Sequence, residues 1–131
     1  MLFRSRADPN DGTLSEGTPL RVVLRVYRID GSACVPINGA MVDLWQCDAL
    51  GIYSGVLDAA GAFDTTGKQF LRGYQLTDES GTVEFVSIYP GYYTGRTVHL
   101  HFKVRTDPTS MTGLEFTSRR EIGRASCRER V

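Results

Sequence analysis

Apolar and polar residues alternate along this chain in short runs with a period of two. From Leu20 to Ile29 (LRVVLRVYRI), Leu20, Val22, Leu24 and Val26 fall on one face and Arg21 and Arg25 on the other, which predicts a half-buried strand. A glycine-containing connection then leads to a second short apolar run, Ala40 to Cys47 (AMVDLWQC). Phe70 to Thr77 and Thr82 to Tyr89 flank the turn signal DESG and predict a β-hairpin, which Pro90 and Gly91 terminate. Val98 to Val104 (VHLHFKV) alternates without a fault: Val98, Leu100, Phe102 and Val104 on one side, His99, His101 and Lys103 on the other. Between the second and third runs, residues 48–68 hold four glycines and no sustained period, a length of loop that usually serves function. Short strands, turn signals and no helical period predict an all-β fold, an antiparallel sandwich of the immunoglobulin or prealbumin kind.

A length of 131 residues accommodates one hydrophobic core. Residues 121–131 (EIGRASCRERV) break from the strand-like pattern, and their back-translation resembles read-through into a sequencing adapter. The expectation is therefore one sandwich domain over 1–120, lacking some C-terminal strands, followed by a non-native tail. Fifteen basic and fifteen acidic residues balance, and no Lys/Arg run forms a phosphate-tracking stripe, so nucleic acid is not an expected partner. No run approaches the roughly 20 apolar residues of a membrane-spanning helix, and the N-terminus lacks a signal-like apolar segment.

The chemistry concentrates in three places. Both histidines of the chain, His99 and His101, project from one face of a strand and can share one metal. An isolated HxH recurs by chance on solvated strand faces. Its company here is Tyr53, in GIYS of the glycine-rich loop, and a Tyr92–Tyr93 pair a few residues upstream of the histidines. Neighbouring strand residues face opposite ways, so one phenol of that pair should point inward, and position alone leaves open which. Phenolates are hard anionic donors, and two of them beside two imidazoles suit a trivalent iron. Arg96 by itself is an ordinary surface arginine, and Trp45 is expected in the core.

The strings CVPINGAMVDLWQCDALGIYSG, FLRGYQLTDESGTVEF and IYPGYYTGRTVHLHFKV resemble the intradiol ring-cleavage dioxygenases, over roughly Asp11 to Ser118. The resemblance implies a non-haem Fe(III) held by Tyr53, Tyr93, His99 and His101, with Arg96 assisting the substrate. It also selects Tyr93 over Tyr92. It implies a catechol-type substrate cut by O2 between its two hydroxylated carbons to a muconate-type diacid, with Tyr93 leaving the metal to take up a proton. Secreted relatives suggest an exported protein, in which Cys34 and Cys47 could form a disulfide, the alternative being two buried thiols. A transthyretin-like or adhesin-like binding sandwich shares the expected fold, but has no reason to combine GIYS, a Tyr before GR, and HLH. A zinc hydrolase built on HxH lacks an obvious third ligand.

Overall fold

The computed structural model describes residues 3–4, 6–107, 109 and 113–117, and every regular element among them is a strand. These are β1 (Phe3–Arg4), β2 (Pro19–Arg25), β3 (Tyr27–Asp30), β4 (Ala33–Pro36), β5 (Met41–Trp45), β6 (Arg72–Leu76), β7 (Thr82–Ile88), β8 (His101–Arg105) and β9 (Leu114–Thr117). One sheet has the order β1-β7-β2, the other β6-β5-β8-β9, and β3 and β4 form a separate two-stranded ribbon. All pairings are antiparallel except that of β1 with β7. The expected boundary between a domain and a foreign tail lies outside the described residues.

The period of two explains why the two larger sheets pack together. Val22 on β2, Val42 and Leu44 on β5, Val83 and Phe85 on β7, and Leu100 just before β8 form the buried apolar cluster, with Leu20, Leu24, Val26, Phe102 and Val104 against its margin. Leu20, Val22, Leu24 and Val26 thus share the inner face, as their alternation predicts. The outer face of the four-stranded sheet carries the complementary set: Met41, Asp43 and Trp45 of β5 opposite Arg105, Lys103 and His101 of β8. There Arg105 holds Asp43 through both carboxylate oxygens, at 2.8 to 3.1 Å.

The ladders depart from the sequence pattern in three places. The run from Leu20 to Ile29 divides at Val26, whose amide donates to Gly81 O (2.8 Å) and whose carbonyl accepts from Ile37 N (3.0 Å). The chain beyond it leaves the sheet, and Tyr27 and Ile29 are exposed. The segments either side of DESG do not form a hairpin: β6 pairs with β5 and β7 with β2, so the turn crosses from one sheet to the other. Asp78 still closes that turn, its Oδ1 accepting from Ser80 N and Thr82 N at 2.9 Å each. What the local turn chemistry does not encode is that β7 finds a seven-residue partner in β2, which outcompetes pairing with β6. The Gln75 side chain bridges the two, bonding both the amide and the carbonyl of Glu84. Finally, β8 begins at His101 rather than at Val98, and Val98 is exposed.

The sheets are also pinned by a polar contact at the end of β5. Gln46, almost fully buried, donates from Nε2 to Ile88 O (2.8 Å) and accepts at Oε1 from Ser87 Oγ (2.9 Å). Cys47 beside it is a free buried thiol, so the expected Cys34–Cys47 bridge is not formed. The two cysteines belong to different structural units: Cys34 sits in the β3–β4 ribbon and Cys47 follows the central strand of the large sheet.

Phe85 is the largest fully buried side chain, in contact with both sheets' apolar faces. Phe85→Ala is expected to lower the unfolding free energy by about 3–5 kcal/mol, read from urea unfolding. A loss below about 1 kcal/mol would show that the two sheets do not share this core.

Candidate metal centre

A short loop after β5 places the first phenol. Asp48 organises it: Oδ1 accepts from Leu50 N (2.8 Å) and Ile52 N (2.9 Å), while its amide donates to Ile52 O (2.8 Å). Gly51 sits in this turn at φ 85°, and a Cβ there would come 2.3 Å from Tyr92 O. Gly91 meets the same turn from the other side, donating to Asp48 O at 2.8 Å with room for no side chain. Two glycines therefore let segments 48–52 and 91–93 approach backbone to backbone, which brings Tyr53 and Tyr93 together.

The rest of the long loop is cross-braced rather than structureless. Thr65 Oγ1 donates to Tyr53 O (2.6 Å), and Gly55 N donates to Thr65 O (2.9 Å). Ser54, fully buried, donates to Phe70 O (2.8 Å). Arg72 of β6 reaches across to it, with Nε on Ser54 Oγ (2.9 Å) and Nη2 on Ser54 O (2.8 Å). Leu71 anchors the join between loop and strand, fully buried at φ 55°, a backbone conformation held by its surroundings.

Four side-chain donors converge. Tyr53 Oη lies 3.2 Å from His99 Nε2, 3.1 Å from His101 Nε2 and 3.5 Å from Tyr93 Oη. Tyr93 Oη lies 3.2 Å from His99 Nε2, and the two histidine Nε2 atoms are 3.0 Å apart. Tyr92 points outward, 74% exposed, so the inward phenol of the pair is Tyr93. Arg96 is not drawn into the group. It is exposed, and its amide donates to Tyr93 O at 3.0 Å.

This arrangement fits one metal ion. Four donors at about 2 Å from a common centre, spread by tetrahedral or right angles, lie about 2.8–3.3 Å from one another, close to the separations found. His99 Nδ1 contacts Thr97 O at 2.6 Å and must be the donor there, which leaves Nε2 with its lone pair towards the centre. Burial, then the hydrogen bond to Tyr93 and the charge of that phenol, push the Tyr53 phenol well above the ordinary phenol range. Arg72 opposes this only partly. Raised in this way, the Tyr53 phenol keeps its proton without a cation, so a high positive charge at the centre is what would make it an anionic donor. Among the described residues no group of three His, Cys, Asp or Glu could hold a metal, and the ligand set on offer is therefore the tyrosine-rich one.

Residues 4–111 match the family model described as Dioxygenase. An intradiol ring-cleavage dioxygenase from Tetranychus urticae is 38% identical and superposes with a TM-score of 0.62, over 79% of this chain and 50% of that one. The chain belongs to the intradiol ring-cleavage dioxygenases. The dioxygenase domain of a dioxygenase–carbohydrate-binding protein fusion from Streptomyces sp. SirexAA-E is 35% identical (TM-score 0.58), with coverage of 79% and 56%. Catechol 1,2-dioxygenase from Acinetobacter sp. ADP1, at 22% identity and a TM-score of 0.60, covers 86% of this chain and 38% of its own, and shows the shared fold. The chain thus spans about half the length of these dioxygenases. Curated proteins gave no match.

Sequence reasoning missed several supporting residues. Trp45, expected in the core, is half-buried on the outer face and stacks on His101. Its parity could have revealed this, because Val42 and Leu44 point inward and a residue one step on points outward. Arg72, Ser54 and Thr97 carried no such signal, since each acts through a contact across the fold.

Two measurements test the geometry. Gly51→Ala should destabilise by about 2 kcal/mol or more, combining a left-handed φ with a backbone collision. Gly61→Ala, at φ 74° with open space around it, should cost about 1 kcal/mol. Equal losses in urea unfolding would remove the close approach as a constraint. The raised Tyr53 phenol gives a sign for pH: the unfolded chain releases this proton near the ordinary value of about 10, the folded chain only higher. Metal-free protein should therefore lose stability as pH rises past 10, and Tyr53→Phe should flatten that fall. An unchanged slope in the variant would contradict the burial assigned to Tyr53.

Proposed function

We propose that this chain carries the non-haem Fe(III) centre of an enzyme that cleaves a catechol-type ring with O2. Cleavage would fall between the two hydroxylated carbons and give a muconate-type diacid. Tyr53, Tyr93, His99 and His101 would be the ligands. The observation that supports this reading is their convergence, two phenol oxygens and two imidazole nitrogens within 3.0–3.5 Å of one another across the contacts that join them. A binding module without a metal leaves that convergence unexplained.

When bound, a ferric ion would supply Lewis acidity to a chelating catechol and draw electron density from it, which opens a ring carbon to dioxygen. The chain's own residues divide the remaining work. Thr97 holds the His99 tautomer that keeps Nε2 available, and Thr65 and Arg72 fix the backbone carbonyls of Tyr53 and Ser54. Tyr93 is half-buried, with its oxygen 3.2 Å from His99 Nε2, and would be the phenol that takes up a substrate proton. Arg96, exposed on the same turn, is free to stabilise negative charge on a substrate oxygen. Export of the protein rests on the family resemblance alone, because Cys47 is a free thiol.

Replacing His101 with Ala should lower iron content and catechol-dependent oxygen uptake together, since a nitrogen donor is lost. Replacing Tyr93 with Phe should retain most iron through the other three donors, shift the tyrosinate-to-iron colour and slow oxygen uptake. Elemental analysis, visible spectra and an oxygen electrode read all three quantities. Native colour with native uptake in Tyr93→Phe would rule out Tyr93 as a ligand.

A further inference from the structure

We propose that Trp45 is a positioning residue that fixes the plane of the His101 imidazole for metal binding, an inference that rests on the metal-centre reading above. Trp45 stands opposite His101 in the β5–β8 register. Their rings are 4° from parallel with centroids 5.1 Å apart. The indole therefore covers one flat face of the imidazole. Two other aromatic neighbours among the described residues meet that imidazole differently: His99 edge-on at 4.7 Å and 84°, Tyr53 tilted at 6.0 Å and 57°.

This division matters because a histidine's terminal torsion is broad, and rotation about it swings Nε2 without moving the backbone. His101 Nε2 must stay within 3.0–3.1 Å of His99 Nε2 and Tyr53 Oη for the donors to share a centre. The two neighbours on the Nε2 side are themselves donors and cannot serve as a fixed wall. Trp45 can, since it contributes no donor to the centre and is seated on the central strand of its sheet. It is also outside the apolar cluster between the sheets, so shortening it leaves Val22, Val42, Leu44, Val83, Phe85 and Leu100 packed.

The test uses the full chain, wild-type and with Trp45→Leu or Trp45→Phe. Three quantities are measured: affinity for ferric iron supplied as its citrate complex, the NMR positions of the His101 ring protons without metal, and thermal unfolding. Trp45→Leu should weaken iron binding on the order of 10–100-fold, the usual effect of losing a residue that orients a ligand. Trp45→Phe, which keeps a flat ring, should restore binding close to wild type. The His101 ring protons should lie upfield in the wild type through the indole ring current, and lose that shift in Trp45→Leu. Unchanged iron affinity in a folded Trp45→Leu overturns the proposal, as does an ordinary His101 position in the wild type. If Trp45→Leu does not fold, the wild-type chain decides: bound iron must quench Trp45, the only tryptophan present. Unaltered emission at full iron occupancy overturns the assignment. A wild-type chain that keeps the upfield shift but takes up no iron would instead refute the metal centre and leave the stack standing.

Discussion

The antiparallel register of β5 against β8 is the constraint on which the rest of this protein depends. It sets Leu44 opposite Phe102 on the inner face and Trp45 opposite His101 on the outer one. A slip of β5 by one residue would turn Trp45 into the core and Leu44 out, and would separate Trp45 from His101. The same five residues of β5 therefore serve two purposes. Its inward side chains complete the apolar cluster that holds the sheets together, and on its outer face Trp45 stacks on His101 of the donor group. Gln46 extends the strand by one more step into a polar tie to Ser87 and Ile88, which fixes the end of β5 from which the tyrosine-bearing loop departs. Losing that tie would leave buried polar atoms unpaired at the point where the loop's direction is decided.

A loop can place a phenol to within a few tenths of an ångström only if its backbone groups are satisfied at every turn. Asp48, Thr65 and Ser54 do this with short hydrogen bonds to main-chain atoms, and the glycines at 51 and 91 remove the side chains that would hold the two segments apart. Arg72 supplies the link back to the sheet, so Tyr53 is tied to β6 while His101 is borne by β8, with β5 between them. Positions of donors that are far apart in the chain thus reduce to the geometry of three adjacent strands.

Much of this was legible because its signals are local. The alternation in VHLHFKV put both imidazoles on one side, and the facing of Leu20, Val22, Leu24 and Val26 followed from the same period. The phenol of the Tyr92–Tyr93 pair that turns inward is the one the family pattern favours. What escaped depended on partners distant in sequence. DESG is a good turn, yet its arms join different sheets because β2 offers β7 a longer ladder than β6 does. Cys34 and Cys47 are close in sequence but lie on separate units, so proximity along the chain misled. Trp45 is expected in the core, although its parity with Val42 and Leu44 argues for the opposite face. Arg72 offered nothing to read, since an exposed-looking arginine next to a glycine is indistinguishable from any other surface cation until Ser54 is found beneath it.

The placement of the donors outside the apolar core has an energetic logic. Two phenols and two imidazoles packed between the sheets would leave polar atoms without partners and weaken the contact that establishes the register in the first place. On the outer face their mutual hydrogen bonds and the Thr97 carbonyl satisfy them while the core remains purely apolar. Burial nonetheless holds the Tyr53 phenol above the ordinary phenol range, so its proton is the one a bound cation would have to displace before that oxygen could serve as an anionic donor.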